Sequence, residues 1–269
     1  MADRTLKDLS SNRPAALCGG GAIGTLGGLI GLGGAEFRLP LLIGPFGFAA
    51  LEAVILNKAM SLVVVAFALP FRAATVPFDQ IAAHWPIIAN LLAGSLAGAW
   101  LGAGWATRLK SETFYKVIAV LLLMIAVVLV FGYDSAAGSA LVTGTAQIIA
   151  GVIAGLLIGV VASLLGVAGG EILIPTLILL FGADVKLAGS LSLAVSLPTM
   201  IVGFIRYRRD QSFAVIRRNR MFLLVMAAGS IVGAFIGGQL LGIIPVAVLL
   251  PGLALILVIS AIKVWRHSG

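Results

Sequence analysis

A single cysteine, Cys18, and two histidines, His84 and His267, are all that this chain offers of the side chains that build disulfides and soft-metal cages. One thiol excludes an intrachain disulfide and a cysteine-built metal site, and Cys18 reads as a small apolar residue. The histidines fall at segment ends, which argues against a histidine-rich metal site. Charge is also scarce. Asp, Glu, Lys and Arg make up 10% of the 269 residues, where a soluble domain carries about a quarter. With 61% hydrophobic residues and a mean hydropathy of +1.16, this excludes an ordinary soluble domain and marks a polytopic membrane protein. The sequence has no nucleophile–base arrangement, no phosphate loop ending in Lys-Ser/Thr and no large polar domain. An enzyme, an ATPase in particular, is therefore not expected, nor is a cofactor.

What charge there is has a pattern. The formal net charge is +8, but six of the eighteen basic residues lie between Arg206 and Arg220. Eight more sit near the N-terminus, the C-terminus and Lys110. Basic loops of this kind set orientation in a membrane, so lipid is the expected surroundings and nucleic acid is not an expected partner. The polar first residues lead into a glycine-rich apolar run without a small-residue cleavage site, which reads as a first membrane segment and not a removed signal.

A spanning helix needs about 20 apolar residues. Segments are predicted at 15–33, 37–47, 53–69, 87–106 and 114–133, then at 146–165, 172–182, 187–205, 221–241 and 243–264. The organisation is a terminal segment (1–14), a first membrane repeat (15–133), a linker (134–145) and a second membrane repeat (146–265). The repeat rests on one constant offset of 135 positions. Gly31, Gly34, Glu36 and Pro40 match Gly166, Gly169, Glu171 and Pro175. Ser61-Leu62 matches Ser196-Leu197, and Gly94-Ser95 with Gly98-Ala99 matches Gly229-Ser230 with Gly233-Ala234. Ungapped recurrence of an acid, a proline and paired Gly-Ser motifs indicates duplication. Five segments per half make the halves enter from opposite faces, so the predicted fold is all-α with two inverted-topology repeats. Short discontinuous or re-entrant helices follow the glycine turns. The basic loops then place both termini in the cytoplasm.

The chemistry is expected at the two glycine turns. Gly33-Gly34 and Gly169-Gly170 permit positive φ and close backbone approach. The short helices that follow would start near the midplane, with N–H groups and the positive dipole end aimed inward, and so form an anion site. Carboxylates at membrane depth are costly and tend to be functional, so Glu36 and Glu171 are candidates for helix capping or proton coupling. Arg38 and Lys58 stand opposite Leu173 and Leu193 in the offset, which adds two cations to one half only. With Asn57, Ser61, Ser190, Ser192 and Ser196 they are the candidate anion ligands. For Gly94, Gly98, Gly102 and Gly229, Gly233, Gly237, spaced by four, close helix packing is expected instead.

The glycine-rich first segment, the short segment with an internal proline and the serine-bearing segment, all duplicated, resemble the TauE/SafE family of sulfite and organosulfonate exporters. The resemblance covers about residues 15–264. It implies a multi-pass secondary carrier of the bacterial or archaeal inner membrane that exports small sulfur anions such as sulfite or sulfoacetate. It places the family's turns at Gly31, Gly33, Gly34, Gly166, Gly169 and Gly170, and its polar segment at Asn57–Ser61 and Ser190–Ser196. Asn57-Lys58 stands where small hydroxyl residues are common. An anion channel, an importer of the same anions and a non-transporting membrane subunit remain alternatives, and homo-oligomerisation is open.

Overall fold

The computed structural model describes residues 13–30, 34–72, 76–131, 140–240 and 246–266. Gly31 and Gly33, most of the terminal segment and much of the linker lie outside them. The regular elements among the described residues are all helices, with no strand among them. In chain order the helices are α1 (Arg13–Ile30), α2 (Ala35–Ile43), α3 (Ala50–Arg72), α4 (Phe78–Ala83), α5 (Trp85–Ala106), α6 (Ser111–Phe131), α7 (Gly144–Leu165), α8 (Gly170–Phe181), α9 (Val185–Tyr207), α10 (Ala214–Arg218), α11 (Arg220–Leu240) and α12 (Val246–Arg266). Six of them, α3, α5, α6, α7, α9 and α11, are long and apolar enough to cross a membrane.

The α2 and α8 helices have 9 and 12 residues. At 1.5 Å per residue they reach ~14 Å and ~18 Å, well short of a hydrocarbon core of ~30 Å. Both fold back beside the helix before them. Gly19, early in α1, lies against Leu41 and Phe46 beyond the turn. The Gln147 amide at the start of α7 donates to the Leu180 carbonyl at the end of α8 (2.7 Å), and the Leu141 N–H donates to Leu179 (2.9 Å). The short segments are therefore the second limbs of two helical hairpins. Their proline does not break them, since Pro40 and Pro175 lie inside continuous helices.

The hairpins open toward opposite ends of the bundle. The end of α2 lines a cleft with Lys263, Val264 and Arg266 of α12, and Phe46 stacks edge-on against Phe222 of α11 with centroids 4.9 Å apart. Glu52, at the start of α3, pairs with Arg218 of α10. Arg206 and Arg209 lie over the Trp100 ring at 5.0 and 5.4 Å. This is the basic face. The second hairpin opens beside the start of α5, where Asn90 donates to the Ile148 carbonyl (3.1 Å).

Glycines let the hairpins into the bundle. In the parallel pair α5 and α7, a Cβ on Gly94 would overlap the Val152 carbonyl, one on Gly98 that of Leu156, and one on Gly159 that of Ser95. In the parallel pair α1 and α11, Gly20 abuts Met226, Gly24 abuts Ser230, and Gly233 abuts Gly21 and Thr25. These contacts are backbone on backbone, so the spaced glycines of α5 and of α11 act by close packing, as their spacing predicts.

Candidate functional site

Two broken helices meet inside the bundle. The start of α2 follows Gly34 at φ 68°, and the start of α8 follows Gly169 at φ 82°. Both φ values are in the left-handed region where glycine carries no Cβ penalty. The first N–H groups of each helix have no intrahelical acceptor, and the positive end of each dipole points along them. Glu36 and Glu171 each lie in the first turn of their helix, with their carboxyls near one another. Both side chains are buried, and among the described residues no side-chain or backbone donor within hydrogen-bond geometry meets their four oxygens. An unpaired carboxylate taken out of water costs several kcal/mol, so this pair is expensive to keep in the fold.

Asn57 of α3 is the staple between the two breaks. Its amide N–H groups donate to the Ala35 carbonyl at the start of α2 (2.9 Å) and to the Leu165 carbonyl at the end of α7 (3.1 Å). Its Oδ1 accepts from Arg38 Nη1 (3.3 Å), which also donates to Ser61 Oγ (3.3 Å). Arg38, with its charge close to Glu36, is thus held against α3 by two neutral oxygens.

The exposed carbonyls at the end of α7 are satisfied by side chains from elsewhere. Lys58 Nζ donates to the Ala162 carbonyl and to Ser163 Oγ (both 3.3 Å), and the Tyr207 hydroxyl donates to the Ser163 carbonyl (2.7 Å). A cation at a helix C-terminus is favoured by the dipole. Gly203 makes room for it, since a Cβ there would stand 2.8 Å from Ser163 Oγ and 2.9 Å from Lys58 Nζ. Gly166, at φ 66°, packs its α-carbon on the Val54 carbonyl and the Lys58 N–H. Ser196 Oγ completes the turn by donating to the Ala168 carbonyl (2.7 Å).

The structure therefore gathers Gly34, Glu36, Arg38, Asn57 and Ser61 with Gly169, Gly170, Glu171, Lys58 and Ser196 around the two turns. Gly33 lies outside the described residues. Ser190 and Ser192 bond their own helix, donating to the carbonyls of Lys186 (3.4 Å) and Gly189 (2.8 Å). All the polar and charged side chains named are buried. The junction also holds residues that the motifs did not single out, namely Ser163, Gly203 and Tyr207. Ser163 stands three residues before the Gly166 turn, which was a usable signal. Tyr207 carried none, because its offset partner is Arg72 and its position looked like a segment end.

Tyr207→Phe removes one donor and leaves the Ser163 carbonyl with the Gly166 N–H alone. The expected loss is about 1 kcal/mol, within the range of a buried neutral hydrogen bond. Thermal unfolding in detergent checks it; an unchanged midpoint would mean that the phenol does not hold the end of α7.

Against known proteins, the family model described as Sulfite exporter TauE/SafE matches residues 7–266. No curated protein and no solved structure matches the chain. The matched stretch takes in every helix among the described residues and both glycine turns. This chain belongs to the TauE/SafE family of sulfite exporters.

Proposed function

We propose that the protein is a secondary transporter that exports a small sulfur-containing anion (sulfite, sulfoacetate or a related organosulfonate) by alternating access. One observation carries this reading: the starts of α2 and α8, with their buried first-turn carboxyls, come together beside a buried Arg38. Two helix N-termini supply N–H donors and positive dipole ends to an anion, and Arg38 adds a full charge in a geometry suited to oxyanions. Ser61, beside Arg38, contributes a hydroxyl. Asn57 spends its amide on the two helix breaks, so its role is to position them. Lys58 has three N–H groups and two acceptors, and keeps one donor for the anion.

The two membrane units, 15–133 and 146–265, are proposed as inverted repeats. Their pattern of partners supports this: α1 packs on α11 as α7 packs on α5, while α3 meets α9 and α6 meets α12. Under the 135-residue offset each pairing maps onto another or onto itself. Entry of the hairpins from opposite ends gives the two access routes that alternation needs. With the basic face inward, both termini are cytoplasmic and the host is the inner membrane of a bacterium or archaeon. A potential negative inside then favours anion exit by ~2.3 kcal/mol per charge per 100 mV, without ATP.

Purified protein in liposomes tests the proposal. Sulfite or sulfoacetate uptake should saturate and be accelerated by the same anion trapped inside. Flux no greater than that of empty liposomes would overturn transport, and flux that never saturates would make the protein a channel. Arg38→Gln should weaken anion affinity by roughly tenfold or more, the equivalent of one charge-assisted hydrogen bond. Unchanged affinity would place the anion elsewhere.

A further inference from the structure

We infer that the groove between α6 and α12 holds an anionic phospholipid from the leaflet at the basic face, with its phosphate at Lys263 and Arg266. Two adjoining hollows build the site. The first is a cleft of about 310 Å³ between the two helix ends of α2 and α12, lined by Pro40 and Ile43 on one side and by Lys263 and Arg266 on the other. The second is a groove of about 260 Å³ between Val120 and Leu123 of α6 and Val258, Ile262 and Trp265 of α12. Arg266 lines both, so the charged cleft opens at the end of the apolar groove.

Dimensions and chemistry both fit such a lipid. From Arg266 back to Val258 the groove descends ~12 Å at about 1.5 Å per residue, close to one leaflet's share (~15 Å) of a hydrocarbon core of ~30 Å. Val120, Leu123, Ile262 and Trp265 are each about half exposed, an apolar strip along which an acyl chain can lie. The charged end matches a phosphate. Lys116, exposed on α6, shares the helix face of Val120 and Leu123 by its spacing and adds a third cation at that end. Among the described residues that line the cleft and the groove, none is acidic. Trp265 stands beside Arg266, at the level where aromatic side chains favour the headgroup boundary. Basic pockets between membrane helices on the cytoplasmic side suit anionic headgroups.

Other occupants fit less well. A helix dipole favours cations in the last turn of α12, which accounts for Lys263 and Arg266 but leaves the groove unused. A free phosphate would leave it unused too. A second copy of the chain, related by an axis along the membrane normal, would bring the same ends together. Arg266 and Lys116 of each copy would then face like charges, which is costly. A phospholipid uses both hollows and pairs the cations. Its headgroup would also touch the end of α2, so it braces the first hairpin against α12 at the open end. The site stands independently of which anion the protein carries.

Native mass spectrometry of the full-length protein in detergent tests this, with equal amounts of phosphatidylglycerol and phosphatidylcholine of identical acyl chains. Phosphatidylglycerol should be retained roughly 25-fold more at low salt, about fivefold for each of the two cations. The preference should shrink as salt rises. K263Q/R266Q should lose most of it, whereas R217Q/R220Q, which removes two exposed cations outside the cleft, should keep it. V120W, whose indole would fill the groove, should weaken retention of phosphatidylglycerol. Equal retention of the two lipids, or a preference that R217Q/R220Q lowers as much as K263Q/R266Q does, overturns the site. Inorganic phosphate that displaces phosphatidylglycerol at equal concentration would make the cleft a free-phosphate site. A dimer that V120W dissociates would make the groove an interface between copies. Either result overturns the lipid. The salt series needs no variant, so a preference that salt leaves unchanged overturns the site even if K263Q/R266Q fails to purify.

Discussion

Gly169→Leu is expected to reduce sulfur-anion flux to the background of empty liposomes while the protein still inserts and purifies as a folded species. The residue sits at φ 82°, where an L side chain costs roughly 1–2 kcal/mol. The added Cβ would also stand 3.2 Å from Ile158 Cγ2 and 3.3 Å from Ala162 Cβ, both on α7. That strain alone would not unfold a bundle of this size. Its effect is local: the remainder of the leucine has to enter between α7 and α8, which displaces the start of α8 and the Glu171 carboxyl with it. A shift of about 1 Å in a positioning element can cost a hundredfold in rate, and the same element carries the N–H donors. Gly34→Leu, at φ 68°, should act in the same way on α2. Radiolabelled sulfite flux from reconstituted variants is the measurement, and wild-type rates from either would sink the idea that the helix starts bind the anion.

Gly98→Leu should fail earlier, at folding. Its Cβ would overlap the Leu156 carbonyl oxygen, and the backbone of α7 cannot give way as a side-chain tip can. The two helices must separate along the seam that Gly94, Gly98, Gly155 and Gly159 share, which forfeits contacts on both sides. Overpacking of cores usually costs 1–3 kcal/mol, and backbone overlap on this scale belongs at or above ~3 kcal/mol. Yield of monodisperse protein in mild detergent should collapse. Gly252→Ala is the matching control, because nothing lies within 4 Å of a Cβ there; it should purify like the wild type. Normal yield of Gly98→Leu would show that α5 and α7 do not meet on glycine.

Much of the architecture could be read without coordinates because lipid narrows the choices. A backbone in hydrocarbon must satisfy its own polar groups, so long apolar runs become helices, and a run of nine or twelve residues cannot cross. The glycine turns were legible for a related reason. Gly34, Gly166 and Gly169 hold positive φ, which few other residues accept, and the acid and proline after them recur at a fixed distance. Reading Asn57 and Lys58 was harder. Their depth in α3 marked them as functional, since polar side chains there are costly. Their sequence could not say whether they face an anion or a carbonyl. In the structure Asn57 spends both N–H groups on backbone carbonyls, and Lys58 spends two donors on the end of α7. Ser190 and Ser192 show the same ambiguity from the other side, because serines at helical depth can always bond back to their own turn.

By itself, then, the sequence determined the class of protein, the order of its long apolar helices, the two breaks and where the basic residues cluster, but not the short helices α4 and α10 in stretches it read as loops. These follow from transfer free energies and local backbone preferences, which act residue by residue and need no partner. Only the tertiary structure decided that the short helices turn back beside α1 and α7, that Asn57, Lys58 and Tyr207 close the broken helix ends, and that Glu36 lies near Glu171. Each of those is a contact between segments from 22 to well over 100 residues apart. The periodicity of a single helix sets which face a residue occupies, but not which residue of another helix is brought against it.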